Sequence, residues 1–290
     1  MFAILGATGK IGRTTIAALR DRGAAVRAIL RDRSKAQEFV DLGCEVAVAD
    51  IADVDALSEA IDGARAVQVI CPIDIRAVDA RAEMLRLIET MGDALDRATP
   101  ELVLAISDYG AEVKSGTGIT LLFNALEARL RKLRSRNIFL RSAEHMENWA
   151  RVTQVAVETG QLYSFHHPLT KLFPTVSAFD VGTIAADLLL DDDGARLRIV
   201  HAEGPRRYMP NDVAAVIGAL VDRPVVAREL PRPQWEAVLT RGGLSESYAR
   251  LVTELYEAHN AGRIDAERDA GEIRRGTSEL AGALRRFVTP

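Results

Sequence analysis

Residues 5–12 read LGATGKIG, placing Gly6, Gly9 and Gly12 directly behind the short apolar run Phe2-Ala3-Ile4. A strand that runs into a glycine-rich turn and then a helix aims main-chain N–H groups along the positive end of a helix dipole. That arrangement receives a pyrophosphate. Gly6 permits the tight turn, Gly9 lets the phosphates approach the backbone, and Gly12 lets the helix pack closely on the strand. Ala7, Thr8, Lys10 and Ile11 fill out the same turn. The spacing is GxxGxxG rather than GxGxxG, a looser form of the dinucleotide fingerprint.

Roughly twenty residues beyond Gly12, a dinucleotide site chooses between a ribose hydroxyl and a ribose phosphate. The sequence there is LRDRSKA. Arg31, with Lys35 behind it, can clamp a 2′-phosphate through charge-assisted bonds, whereas Asp32 can accept from a 2′-hydroxyl. The expectation is NADP(H) over NAD(H), with Ser34 as an alternative cap of the next helix. Asp50 and Ile51 follow the third strand, where a carboxylate and an apolar side chain can border an adenine. Asp50 could equally begin a turn. Pro72, after the fourth strand, and Ser107, at the end of the fifth, complete the expected cofactor contacts.

The elements that must hold these residues follow from periodicity. The short runs FAIL, VRAIL, EVAVAD, AVQVIC, LVLAIS and IFLRS alternate with stretches carrying apolar residues three and four apart, at 11–20, 35–42, 54–61, 75–95 and 121–133. Such alternation indicates βαβ units and a parallel sheet, with ligands at the carboxyl ends of the strands. The expected fold is α/β: a Rossmann-type doubly wound parallel sheet with a smaller C-terminal α/β substrate lobe. Residues 1–142 are assigned to the dinucleotide-binding domain and 143–290 mainly to the lobe. A segment near 176–200 could return to the main sheet, through the strand-like RLRIV.

Composition narrows the function classes. Lys and Arg number 37 against 41 Asp and Glu, giving net charge −4, so the cationic footprint of a nucleic-acid binder is missing. The basic stretch 127–136 carries an apolar face through Leu126, Leu130 and Leu133 and reads as a solvated helix surface. Cys44 and Cys71 lack metal or CxxC spacing, and His166-His167 has no third ligand, so no metal site is expected. No signal-peptide pattern or apolar run of membrane-spanning length is present. A cytoplasmic, non-membrane protein is expected.

The segments GATGKIG, RDRSKA, ISDYGA, LRSAEHMENW, FDVGTIAADLL, EGPRRYMPNDVAAVI, DRPVVARELPRPQWEAVL and LYEAHNAGRID, in that order, resemble the NmrA-like branch of the atypical short-chain dehydrogenase/reductase superfamily. The resemblance implies a Rossmann domain holding NAD(P) and a smaller lobe closing over the nicotinamide. Relatives reduce quinones, dyes or phenylpropanoid ethers with NADPH, while others bind cofactor as redox-sensing regulators of a protein partner. A redox-neutral isomerase or epimerase that retains its cofactor is a third class. The usual YxxxK pair is missing: counting from Tyr109, Val113 stands fourth and Lys114 fifth. Some relatives place Lys or His four residues before a helical Glu, and Glu127 in that register puts Phe123 there. Tyr109 and His145 remain as candidate catalytic groups, and Tyr109, Phe123, His145, Met146 and Trp149 as the expected substrate pocket. The leading expectation is an NADPH-dependent oxidoreductase acting by direct hydride transfer on a small conjugated or aromatic molecule of quinone, enone or dye type. Oligomeric state is not legible.

Overall fold

The computed structural model describes residues 1–191 and 193–288. Its first half runs β1 (Phe2–Ile4), α1 (Lys10–Asp21), β2 (Val26–Leu30), α2 (Ala36–Asp41), β3 (Glu45–Val48), α3 (Val54–Ile61), β4 (Ala66–Val69), α4 (Ala80–Ala98), β5 (Leu102–Asp108), α5 (Thr120–Leu130) and β6 (Arg136–Ser142). There follow β7 (Glu144–His145), α6 (Ala150–Thr159), β8 (Gln161–Ser164), β9 (Thr175–Val176), α7 (Ala178–Leu190) and β10 (Leu197–Glu203). The chain continues with α8 (Pro210–Leu220), β11 (Val226–Glu229), α9 (Trp235–Arg241), α10 (Glu246–Asn260), β12 (Glu272–Arg275) and α11 (Leu280–Val288).

Eight strands form one sheet in the order β3-β2-β1-β4-β5-β6-β10-β12, every neighbouring pair parallel. β1 pairs with β2 on one side and β4 on the other. The strand order reverses there, and the crevice beyond the carboxyl ends is where such sheets take ligands. Val103, Leu104 and Ala105 of β5 are all buried, as suits a strand covered on both faces. One core joins α1, α2 and α7 to the sheet, and a second joins α3, α4, α5, α9 and α10 to the other face. A smaller cluster around Met146, Trp149 and Leu162 holds α6, α8, α11 and the parallel pair β8–β11. Both α7 and β10 lie with the main sheet: α7 packs on α1, and β10 pairs with β6.

Two local readings are corrected. The helix expected over 75–95 begins only at Ala80, because Asp74 closes a turn on the Arg76 amide (2.8 Å) and Asp79 caps the helix by accepting from Ala82 (2.9 Å). Side chains that bond their own backbone in this way compete with helix extension. The basic stretch 127–136 is not simply a solvated surface. Arg129 is buried beside α4, bonded to Glu89, Asp93 and Asp96 at 3.1, 2.8 and 2.9 Å, and Glu127 is also buried. Among the described residues no helix is long and apolar enough to cross a membrane.

Candidate functional site

A cleft of about 610 Å³ opens where β1, β2, β3 and β4 end. Gly6 stands at φ +70°, a conformation that side chains disfavour, and a Cβ there would meet Ile70 at 3.3 Å. Gly9 is the N-cap of α1, and no side chain caps that helix. Its first-turn amides therefore remain for a ligand or water. The turn holds itself in shape: the Gly9 amide donates to Gly6 O at 3.0 Å, and Arg13 Nε donates to Thr8 O at 2.9 Å. A Cβ on Gly12 would lie 2.3 Å from Gly6 O, so only glycine lets α1 start this close to the turn. Gly6, Thr8, Gly9, Lys10 and Ile11 line the cleft, while buried Ala7 and Gly12 shape it from behind.

Arg31, Ile51 and Pro72 form further walls. Asp32 does not: its carboxylate accepts from the Ser34 amide at 2.9 Å, so Asp32 rather than Ser34 caps the single turn Arg33–Lys35. Lys35 stands exposed on that turn and lies outside the lining. Asp50 takes the turn role, accepting from the Ala52 amide at 2.9 Å. Ser107 is buried and donates to Glu127 at 2.7 Å, which keeps it out of the cleft. Ile70, Glu147, Asn148 and Ala178 also line it and were missed from sequence. Ile70 carried a signal, as the residue following β4. Glu147 reaches the site by fastening α7, accepting from Ser177 Oγ at 2.9 Å and the Ala178 amide at 3.1 Å.

A second, more enclosed chamber of about 190 Å³ lies beside the cleft. Trp149, Tyr163, Phe165 and Tyr256 give it aromatic walls, and Val238 and Leu239 add apolar ones. Glu144 and His166 face it as a buried pair, Nε2 to Oε2 at 2.6 Å, and Tyr256 donates to the other carboxylate oxygen at 3.2 Å. Burial alone would raise the Glu144 carboxyl, but the His166 imidazole outweighs it and holds the group at about 2. Asn148 lines both the cleft and the chamber and is the residue common to their linings.

Of the expected pocket residues, Trp149 faces the chamber and His145 the cleft. The His145 ring lies 3.0 Å from Ser142 Oγ, and burial holds its pKa below the usual value, which favours a neutral wall over an acid. The other three stand elsewhere. Tyr109 is in the core, edge-on to His201 at 5.3 Å, with its phenol pushed upward by burial and then by the Glu203 charge. Gly110, at φ +78°, turns the chain immediately after it, so no helix can align Tyr109 with exposed Lys114. Phe123 packs into the core beside α4, and fully buried Met146 fills the lobe cluster. No metal-holding group of His, Cys, Asp or Glu occurs among the described residues.

Asp108, at the end of β5, yields a pH prediction. Burial lifts its carboxyl to about 7, although Thr120 Oγ1 donates to it at 2.7 Å. A folded pKa above the unfolded value means the folded chain keeps a proton that the unfolded chain releases, so Asp108 subtracts stability as pH rises from about 4 to about 7. Asp108→Asn is expected to stabilise the protein by about 2 kcal/mol at pH 8 and by nearly nothing at pH 4. Urea unfolding at the two pH values checks this, and an equal effect at both would refute it.

Residues 6–160 match a family model described as NAD(P)H-binding. Over 257 residues the chain is 25% identical to an NAD(P)H azoreductase of Xenophilus azovorans, covering 88% of this chain and 86% of that one. Its fold is that of a triphenylmethane reductase from Citrobacter sp. solved with NADP(H), at TM-score 0.83, 18% identity and coverage of 99% and 100% of the two chains. An NADPH-dependent quinone oxidoreductase from Escherichia coli solved with NADPH superposes at TM-score 0.82, with 20% identity and full coverage of both chains. With a glycine cradle at the β1–α1 turn and the match spanning more than half of the sequence, the chain belongs to the NAD(P)H-binding family.

Proposed function

We propose that the protein is an NADPH-dependent oxidoreductase of the NmrA-like branch that reduces a compact conjugated acceptor, of quinone or enone type. One observation carries the reading: a nucleotide-sized cleft with a glycine cradle lies beside an aromatic-walled chamber, and Asn148 lines both. The residues present suit the dinucleotide. The uncapped first turn of α1 offers amides to the pyrophosphate, and Gly12 brings them within reach of the turn. When bound, the reduced nicotinamide supplies a hydride. The chain's own work is to orient, to exclude water through Trp149, Phe165 and Tyr256, and to hold the acceptor in the chamber beside the cleft. At about 190 Å³ the chamber suits one or two fused rings, since a cavity of about 150 Å³ takes benzene. A triaryl dye needs the walls to open. The test is NADPH consumption with monocyclic quinones, bicyclic quinones, enones and a triaryl dye. Small quinones are expected to turn over fastest, and tight NADPH binding without consumption by any acceptor would defeat the proposal.

Cofactor choice rests on Arg31. It lines the cleft and forms no salt bridge among the described residues, whereas the Asp32 carboxylate is occupied by Ser34. A cation free to meet a 2′-phosphate, beside a carboxylate turned away from a 2′-hydroxyl, supports NADPH. Arg31→Ala is expected to weaken NADPH binding by roughly 10- to 100-fold, the worth of a charge-assisted bond. NADH affinity should hold within about twofold. Fluorescence titration with both nucleotides measures the ratio, and equal losses for the two would reject the assignment.

A further inference from the structure

We infer that Arg151 makes the protein select acceptors bearing an anionic substituent, a carboxylate or sulfonate held at the rim of the chamber while the ring enters it. The inference deepens the oxidoreductase reading by naming the substrate class, and it rests on that reading. Trp149, Val152, Phe165, Val238, Leu239 and Leu244 give the chamber a largely apolar wall. Charged groups facing such a wall are costly unless each meets a partner. Glu144 and His166 meet each other, Nε2 to Oε2 at 2.6 Å, and the Tyr256 hydroxyl donates to the other carboxylate oxygen at 3.2 Å. Arg151 has no such partner. It lines the chamber and forms no salt bridge or side-chain hydrogen bond among the described residues. Its guanidinium is the charge that the chamber leaves for a ligand.

Position and electrostatics decide how the ligand enters. Arg151 stands exposed in the first turn of α6, whereas the Glu144 side chain is only 9% exposed. The guanidinium thus marks the rim and the carboxylate the interior. Its charge also reaches across the chamber. Burial pushes the Tyr248 and Tyr256 phenols of α10 upward and Arg151 opposes it, while against the burial of Glu144 it joins His166 and His259 in holding that carboxyl low. An acceptor with one acidic substituent therefore enters ring first. The apolar wall and the Glu144 carboxylate disfavour a second negative charge inside, and Arg151 receives it where water still reaches both ions. The planar guanidinium suits a carboxylate or sulfonate, presenting paired N–H donors. An exposed ion pair contributes little by itself, and the paired charge-assisted bonds raise the gain to about tenfold in affinity. Hydride transfer leaves the substituent unchanged, so the contact serves ground and transition states alike.

The test titrates the intact protein, saturated with oxidised NADP, with naphthoate and with naphthamide, which differ in charge and hardly in shape. By calorimetry the unaltered protein should bind naphthoate about tenfold more tightly. Arg151→Gln should erase that preference, Arg151→Glu should reverse it, and Arg151→Lys should restore part of it. High salt should shrink it in the unaltered protein. Because Arg151 is exposed, the variants should keep their thermal midpoints. In steady state, the ratio of kcat/KM for naphthoquinone sulfonate to that for naphthoquinone should fall about tenfold in Arg151→Gln, through KM rather than kcat. Failure of naphthoate to bind, equal binding of the two probes by the unaltered protein, or a naphthoate preference that survives Arg151→Gln would each overturn the inference. The calorimetric readout needs no turnover. A preference that depends on Arg151 in a protein consuming no quinone would therefore remove the oxidoreductase reading and leave the anion site standing.

Discussion

Gly12→Val is expected to abolish useful nucleotide binding, weakening NADPH by at least about 100-fold, and to destabilise the fold by about 3 kcal/mol. A Cβ at this position would lie 2.3 Å from Gly6 O, 2.9 Å from Gly6 C and 3.0 Å from Ala7 Cα. All three atoms are backbone, so no side chain can swing aside. The helix cannot retreat either. Behind it, bare Gly182 of α7 is pressed so close that a Cβ there would meet Ile11 O at 2.7 Å, and Thr15 Oγ1 donates to Gly182 O at 3.1 Å. Valine would therefore distort the turn that presents Gly6, Thr8 and Gly9, and the gain of helix propensity over glycine, about 1 kcal/mol at best, does not offset it. Gly9→Ala supplies the contrast. Its Cβ would meet Gly6 O at 3.4 Å, an ordinary contact, yet residue 9 faces the cleft. That variant should keep its thermal midpoint and lose affinity. Calorimetric titration with NADPH beside thermal unfolding separates the two, and a Gly12→Val protein as stable and as tightly bound as its parent would show that α1 is not pressed against the turn.

The difference between what the sequence discloses and what it conceals follows from the range of the interactions. The glycine turn, the central strands and Arg31 were legible because each depends on a few consecutive residues, whose spacing and backbone preferences are local. The chamber was not. Glu144, His166 and Tyr256 meet only because β7 pairs with β9 and α10 packs across the site, contacts spanning 22 and 112 residues. Asn148, between the apolar Met146 and Trp149, therefore carries no local signal of its place in the site. Side-chain chemistry also says nothing about the direction a residue faces. Ser107 lies near the end of β5 and Tyr109 just beyond it, where the strand meets the crevice, yet both side chains are buried and absent from the linings of cleft and chamber. Arginine was the most misleading type. Arg129 read as part of a solvated surface, because its burial is decided by carboxylates 33 to 40 residues away in the chain.

Arg141→Leu is the second change with a large expected effect, a loss of about 3 to 5 kcal/mol. Arg141 is 1% exposed at the end of β6. Its Nε and Nη2 grip the two Glu127 oxygens at 2.8 Å each, while Nη1 donates to Glu112 at 2.9 Å and Glu267 at 2.6 Å. One guanidinium thus ties the sheet to α5, to the loop after β5 and to the segment before β12. Leucine fills much of the volume but abandons three carboxylates, and they do not suffer alike. The side chains of Glu112 and Glu267 keep 26% and 30% of their exposure and can turn to water, whereas that of Glu127 keeps 4%. Glu127 retains the Ser107 hydroxyl at 2.7 Å and a long contact from Arg131 at 3.5 Å, too little to solvate a buried anion. The cost therefore resides in the abandoned carboxylate more than in the lost attraction. It follows that Arg141→Leu/Glu127→Leu should be more stable than Arg141→Leu alone, recovering about half of the loss or more. Urea unfolding of both single variants and the double closes the cycle. If the double variant lost the sum of the two single losses, the pair would be uncoupled, and burial of the Glu127 charge could not be what makes Arg141 indispensable.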